Sequence, residues 1–198
     1  MNVTEIVDRY ASLSSELEKI ISDAESRITS DPVDVYFVTN ANFLTKSFLI
    51  SLCCYLEVFL KEIANAHVLN VKQRIGAANV PHNLLIWSLI RDVKEKDLRL
   101  GSFDLSVTTK DIDDELSGNP FRTAKCFRLL GVDLDNEVEF SANKELVNMV
   151  VAKRNSIIHH NDTAADVSLG DIRVYSRQFQ AYVRAIAVAV HSVNAIGQ

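Results

Sequence analysis

Apolar residues recur at three- and four-residue spacing through most of the chain, and this period predicts α-helices. The first helix is expected to begin at the N-cap Thr4 and to end before the Ser30-Asp31-Pro32 break. Its apolar face consists of Ile6, Tyr10, Leu13, Leu17, Ile20, Ala24 and Ile28. From Pro32 to about Arg74 no glycine or proline interrupts the sequence, and a wide apolar face predicts a central, largely buried helix. The residues of that face are Phe43, Leu44, Phe48, Leu49, Leu52, Leu56, Phe59, Leu60 and Ile63.

The middle of the chain has more interruptions. Residues 76–83 contain Gly76, Asn79 and Pro81 and are expected to form a loop, followed by a short helix through Leu85, Leu89 and Val93. Residues 101–120 are rich in aspartate and have no apolar period, so we expect an excursion from the helical bundle.

Three further helices are predicted after this stretch. One runs from about Phe121 to Leu130 and ends at Gly131, because glycine is a common helix stop. Ser141 opens the next helix, which extends through His159, and the spacing of Ser168 and Asp171 predicts a capping box for the last one. The last helix carries an apolar stripe formed by Ile172, Tyr175, Phe179, Tyr182, Ile186, Val190 and Val193.

No run of alternating apolar residues predicts a strand. The expected fold is therefore an all-α bundle of four or more long helices, in a single domain over residues 1–198 with the aspartate-rich excursion at about 101–120.

Charge and cysteine content narrow the classes of protein. The 21 basic and 26 acidic residues give a net charge of −5, which excludes a uniformly basic nucleic-acid-binding surface but allows a local basic patch. Cys53 and Cys54 are adjacent and Cys126 stands alone, a pattern typical of neither a disulfide framework nor a metal site. The N-terminus lacks a signal-peptide pattern, and no segment reaches the roughly 18 uncharged apolar residues that span a bilayer. We expect reduced thiols, a cytoplasmic location and no membrane partner.

Familiar cofactor and metal motifs do not occur in the sequence. The dinucleotide fingerprint, the phosphate-binding loop, the G-x-S-x-G elbow and the Glu-x-x-His spacing of di-iron bundles are all missing, so no metal or cofactor is predicted. His67, His82 and His191 have no partners nearby in sequence and are interpreted as surface or satisfied core histidines. Trp87 and the Cys53-Cys54 pair are interpreted as packing residues.

The segment LVNMVVAKRNSIIHHND carries the candidate chemistry. Arg154 falls in an apolar stripe of its helix, where a guanidinium must find an anion or several acceptors. Asn155 and His159 are four residues apart and share the adjoining face, so the amide can orient the imidazole. Arg154 and His159 diverge by about 140° on a regular helix. Both can serve one phosphate if two copies of the helix meet across a two-fold axis, or if the helix unwinds at its end.

At Arg154 to His159 the sequence R-N-S-I-I-H resembles the R-N-x-x-x-H motif of the HEPN superfamily of small helical domains, many of which are RNases. The upstream segment from Ser47 to Ala64 is similar to the first core helix of the RiboL-PSP-HEPN group. This resemblance implies a metal-independent endoribonuclease with a composite Arg/His site in a homodimer. In it Arg154 stabilises the pentacovalent phosphate and His159 moves protons to give a 2′,3′-cyclic phosphate, although the adjacent His160 leaves open which imidazole acts. The family context suggests a toxin or phage-defence role, with RNA as substrate and an antitoxin protein as a possible partner.

Several assignments have an alternative. Arg154 and His159 can simply complement the helix dipole, with Asn161 as the helix stop, and the chain would then be a non-catalytic module that binds a nucleotide or a partner protein. Glu57 resembles an acidic residue near some HEPN sites, but it can equally form a helix pair with Lys61.

A row of arginines on the last helix is a second candidate surface. Arg173, Arg177 and Arg184 lie on one side and can either follow an RNA backbone or form a solvated charge stripe. Tyr175 and Tyr182 fit the apolar stripe of the same helix better than a base-stacking platform.

Overall fold

The computed structural model of this chain describes residues 2–160 and 162–195. Those residues form eight α-helices and no β-strand, which confirms the all-α prediction. The helices are α1 (Val3–Ile28), α2 (Val35–Thr39), α3 (Ala41–Ala78), α4 (His82–Leu89), α5 (Thr109–Glu115), α6 (Pro120–Leu129), α7 (Val138–His160) and α8 (Leu169–Ala195).

Helix α3 is the centre of the core and packs against α1, α7 and α8. Leu49, Leu52, Leu56, Leu60 and Ile63 are fully buried, whereas Phe43, predicted on the same face, is 68% exposed, so the prediction is wrong at that position. By length and composition α3 is also the one helix of the described chain that is apolar enough to cross a membrane. Its leucines are buried against the other three long helices, so the apolar composition of α3 is that of a central core helix.

The N-cap of α1 is Asn2, so the prediction of Thr4 as the cap is wrong. The Asn2 side chain accepts a hydrogen bond from the Glu5 backbone N–H, and the Glu5 carboxylate accepts one from the Asn2 backbone, which completes a capping box. The predicted apolar face is also shifted at Ile20, which is exposed while Ile21 is buried.

At the start of α8 the predicted capping box is confirmed. The Ser168 backbone N–H donates to Asp171 Oδ2 at 2.9 Å, and the Asp171 backbone N–H donates to Ser168 Oγ at 3.0 Å.

Other helix boundaries also differ from the sequence prediction, and α4 ends at Leu89 without reaching Val93. Helix α3 continues through Gly76 to Ala78 and ends where Asn79 adopts a left-handed conformation, φ 50°, so the predicted loop is shorter than expected. A single glycine costs a helix about 1 kcal/mol relative to alanine, and a helix as long as α3 tolerates this. Helix α7 starts at Val138, before Ser141, whose hydroxyl donates to the Asp135 carbonyl instead of capping the helix.

The aspartate-rich stretch 101–120 is not an excursion from the bundle, and that prediction is wrong. A capping box between Thr108 and Asp111 starts α5, which packs against α3 and buries Ile112 and Leu116. The segment that does leave the bundle is 79–103, where Trp87 is 54% exposed instead of packed as predicted.

Candidate active site

Arg154 on α7 forms an ion pair with Glu57 on α3, through its Nη2 and the Oε1 of the carboxylate. The Arg154 side chain is 12% exposed and the Glu57 side chain 33% exposed. Lys61 contacts Asp113 at 3.4 Å, so the alternative of a Glu57–Lys61 helix pair is wrong. Glu57 therefore contacts the motif, and the anion that Arg154 requires is supplied by its own chain.

The surroundings of Arg154 keep it charged. Desolvation is the largest single effect and opposes the charge, but the interactions with Glu57 and Cys53 together outweigh it and raise the pKa of Arg154 above its ordinary value. The Cys53 thiol lies beside the guanidinium, and burial raises the pKa of Cys53 to about 12, so the thiol stays neutral at pH 7. Arg154 Nε is buried and finds no hydrogen-bond acceptor among the described residues. The pair thus leaves donor capacity on the guanidinium unused.

The loop between α5 and α6 covers the Glu57–Arg154 pair. A Cβ atom added at Gly118 would lie 3.1 Å from Glu57 Oε1 and 3.4 Å from Val151 Cγ2, so a glycine allows this close approach. Asn119 fastens the loop: its Oδ1 caps α6 and its Nδ2 donates to Asn148 Oδ1 at 3.0 Å. The sequence analysis did not predict that this loop covers the ion pair. The signal was the Asn119-Pro120 helix start directly after Gly118, within the stretch interpreted as an excursion.

Asn155 and His159 lie on an exposed face of α7 that also carries Met149 and Ala152. Helix α7 stays helical to His160, so the alternative in which the helix unwinds between Arg154 and His159 is wrong. The described residues include no hydrogen bond between the Asn155 amide and the His159 imidazole. One chain therefore presents His159 to solvent about 140° around the helix from Arg154.

Ion pairs and a backbone hydrogen bond hold the segment that follows α7 close to the motif. Lys153 Nζ contacts Asp162 Oδ2 at 2.9 Å and Asp166 Oδ1 at 2.6 Å, and these contacts lower the pKa of both carboxyl groups. The Ala164 backbone N–H donates to Asn42 Oδ1 at 3.1 Å and so ties this segment to the start of α3. Asn161, the predicted helix stop, lies outside the described residues.

The three arginines of α8 do not form one continuous basic surface. Arg173 Nη1 contacts Glu25 Oε2 at 3.0 Å, whereas Arg177 and Arg184 are exposed and make no ion pair with any described residue. Arg184 shares a surface cleft with Glu139, at the first turn of α7, about 30 Å along that helix from His159. RNA contact through these three residues stays a prediction.

The remaining histidines and the α8 tyrosines lie largely as predicted. His67 is buried, with Nδ1 2.8 Å from Asn194 Oδ1 and Nε2 3.0 Å from the Leu130 carbonyl, and is thus a satisfied core histidine. His191 is exposed, and His82 stacks on Phe103. Tyr182 is fully buried in the core, and Tyr175 is partly buried against it.

Comparison with known proteins identifies a family. The sequence model of the family described as RiboL-PSP-HEPN matches residues 8–191, which span every helix that contributes to the site. No curated protein and no solved structure gives a significant match to the chain. A match over nearly the whole chain, an all-α fold and an R-N-x-x-x-H segment beside a partly buried Glu–Arg pair together lead to one assignment: this chain belongs to the RiboL-PSP-HEPN family.

Proposed function

We propose that this protein is a metal-independent endoribonuclease that acts as a homodimer. The observation that carries the proposal is the division of α7 into two sides, with Arg154 fixed by Glu57 on one side and Asn155 and His159 exposed on the other. A two-fold axis next to α7 would bring Arg154 of one subunit toward His159 of its partner. Ile158, one turn after Arg154 and about half exposed, supports a contact there, since it gives this edge of the helix an apolar surface to bury.

The proposed reaction is transfer of a phosphoryl ester within RNA. The His159 imidazole accepts the proton of the ribose 2′-hydroxyl, and the 2′-oxygen forms a bond to phosphorus as the bond to the 5′-oxygen breaks. An imidazolium returns a proton to the 5′-oxygen, so the products are a 2′,3′-cyclic phosphate and a 5′-hydroxyl end. Arg154 stabilises the charge on the non-bridging oxygens, because a guanidinium has five donors and Glu57 occupies only part of them.

The biological role proposed with this activity is that of a toxin or phage-defence effector. RNA is then the substrate, an antitoxin protein would be the regulatory partner, and the cytoplasm is the compartment. Arg177 and Arg184 supply two exposed cations that could contact the RNA backbone.

A second candidate function is a non-catalytic module that binds a nucleotide or a partner protein. One observation favours it: the charge of Arg154 is already balanced by Glu57, so no phosphate is required to satisfy it.

Substitution of His159 by alanine should separate the two functions. We expect wild-type protein to cleave RNA in the presence of EDTA, and His159→Ala to lose about 10²–10⁴-fold of that activity, the usual contribution of a general acid–base group. His160→Ala is the matched control, because His160 is the next residue, is also exposed and does not share the Asn155 face. The assay should also identify a 2′,3′-cyclic phosphate end.

Two outcomes would contradict this assignment. Cleavage that survives His159→Ala but not His160→Ala would transfer the role to His160. Wild-type protein that leaves RNA intact would favour the binding module.

A further inference from the structure

Residues 79–103 form an arm that leaves the end of α3 and returns before α5. Its neck is closed by two backbone hydrogen bonds, from His82 N–H to the Gly101 carbonyl at 2.9 Å and from Phe103 N–H to the Val80 carbonyl at 2.7 Å. The rings of His82 and Phe103 stack across the same point, with centroids 5.7 Å apart. Further along, the Arg99 backbone N–H donates to Asn83 Oδ1 at 2.7 Å. The arm therefore has a defined conformation.

The arm carries large apolar side chains that its own chain does not cover. Helix α4 has no buried residue and makes no substantial contact with the other described helices. Trp87 is 54% exposed and Leu100 is 99% exposed. The full set of exposed apolar residues is Leu84, Trp87, Leu89, Ile90, Leu98 and Leu100. Six large apolar side chains exposed within one short segment mark a candidate interaction site.

The charges of the arm exclude two classes of partner. Its polar residues alternate in sign: four cations are interleaved with three carboxylates, in the order Arg91, Asp92, Lys94, Glu95, Lys96, Asp97 and Arg99. RNA and anionic membranes both select surfaces in which cations dominate. A protein surface with apolar and acidic groups fits this pattern better.

The same chain offers such a surface between Asp31 and Phe43. This segment contains two carboxylates, Asp31 and Asp34, and no lysine or arginine. Arg27 of α1 contacts Asp34 at 3.4 Å, so Asp31 is the carboxylate of this surface that makes no ion pair with a described residue. Its exposed apolar residues are Val33, Val35, Tyr36, Val38 and Phe43. Of the 21 basic and 26 acidic residues in the whole chain the arm holds four and three, which leaves 17 and 23, a net charge of −6, on the rest. The arm, at +1, is thus complementary in charge to the body of a second copy.

We infer that the arm docks on the Asp31–Phe43 surface of a second copy, with the two arms exchanged across the two-fold axis. The inference rests on the homodimer of the proposed function and adds a contact surface away from α7. Reciprocal exchange counts each arm and each receiving surface twice. The total buried area is therefore twice that of a single docked arm, and a specific interface needs roughly 1,000 Å² in total.

Intrinsic fluorescence tests the inference directly, because Trp87 is the single tryptophan of the chain. Over a dilution series, light scattering measures the mass while tryptophan emission and acrylamide quenching measure the exposure of Trp87. We expect the emission to shift to shorter wavelength, and quenching to fall, over the same concentration range in which the mass doubles.

A charge placed in the arm provides the variant test. Leu89→Glu keeps the fluorescent probe and should weaken dimerisation by tenfold or more, with helical content unchanged by circular dichroism. Ile20→Glu is the matched control: Ile20 is 54% exposed, as is Trp87, but lies on α1, and this variant should dimerise as the wild type does.

Three results would overturn the inference. They are a dimer in which Trp87 emission does not change, a chain that stays monomeric, and an emission shift that requires anionic phosphatidylglycerol vesicles. Failure of the proposed function looks different, because a dimer with a buried Trp87 that leaves RNA intact would refute only the endoribonuclease. Active protein whose dimer leaves Trp87 exposed would refute only the arm exchange.

Discussion

Replacement of Arg154 by alanine is expected to abolish RNA cleavage and to lower the free energy of unfolding by about 1–3 kcal/mol, the usual cost of removing one partner of a buried polar pair. The substitution leaves the Glu57 carboxylate without its cation beneath the loop at Gly118. Glu57 keeps about a third of its side chain exposed, so water offsets part of the loss, and the full 3–5 kcal/mol typical of broken buried ion pairs is not expected.

Two further variants separate the catalytic and structural roles of Arg154. Glu57→Gln combined with Arg154→Ala removes the orphaned charge, and should recover most of the stability but none of the cleavage. Arg154→Lys keeps a cation near Glu57 but loses the planar guanidinium, and should also fail to cleave. Urea denaturation and RNA cleavage assays on all variants provide the readouts. If the Arg154→Lys protein cleaves RNA as fast as the wild type does, the role of Arg154 is structural and not catalytic.

Leu56→Ala is expected to lower the free energy of unfolding by about 2–5 kcal/mol, the range for a leucine truncated in a packed core. Leu56 is fully buried on α3, next in sequence to Glu57, so a cavity there removes contacts at the centre of the bundle. Val58→Ala, on the exposed side of the same helix, should change stability by no more than about 0.5 kcal/mol. Equal effects of the two substitutions in urea denaturation would contradict the assignment of α3 as the core helix.

The long helices were predictable because each carries its own periodic apolar face, but their ends were predictable only where a local stop or cap is unambiguous. Gly131 after α6 and the Ser168–Asp171 box before α8 are examples in which the signal and the structure lie in the same few residues. The segment 101–120 was misjudged because α5, a helix of seven residues, is too short to show a period. Ile112 and Leu116 are the only positions through which α5 and the residue after it reach the core, and the aspartates around them dominate the sequence.

Only the part of the candidate site that lies on a single helix was predictable. The position of Arg154 in an apolar stripe required an anion, and the sequence did identify Glu57 as one candidate. Choosing between Arg154 and Lys61 as the partner of Glu57 depended on how α3 and α7 pack, which no local pattern records. The burial of Cys53 next to the guanidinium and the cover at Gly118 arise from tertiary contacts of the same kind.

Subunit complementation tests the composite Arg/His site most directly. Arg154→Lys and His159→Ala proteins, each expected to be inactive, are unfolded together, refolded and assayed for RNA cleavage. If each site takes its arginine from one subunit and its histidine from the other, every mixed dimer contains one intact site, and random reassociation should restore roughly a quarter of wild-type activity. A mixture as inactive as either variant alone, although mixed dimers have formed, would contradict a site shared between subunits.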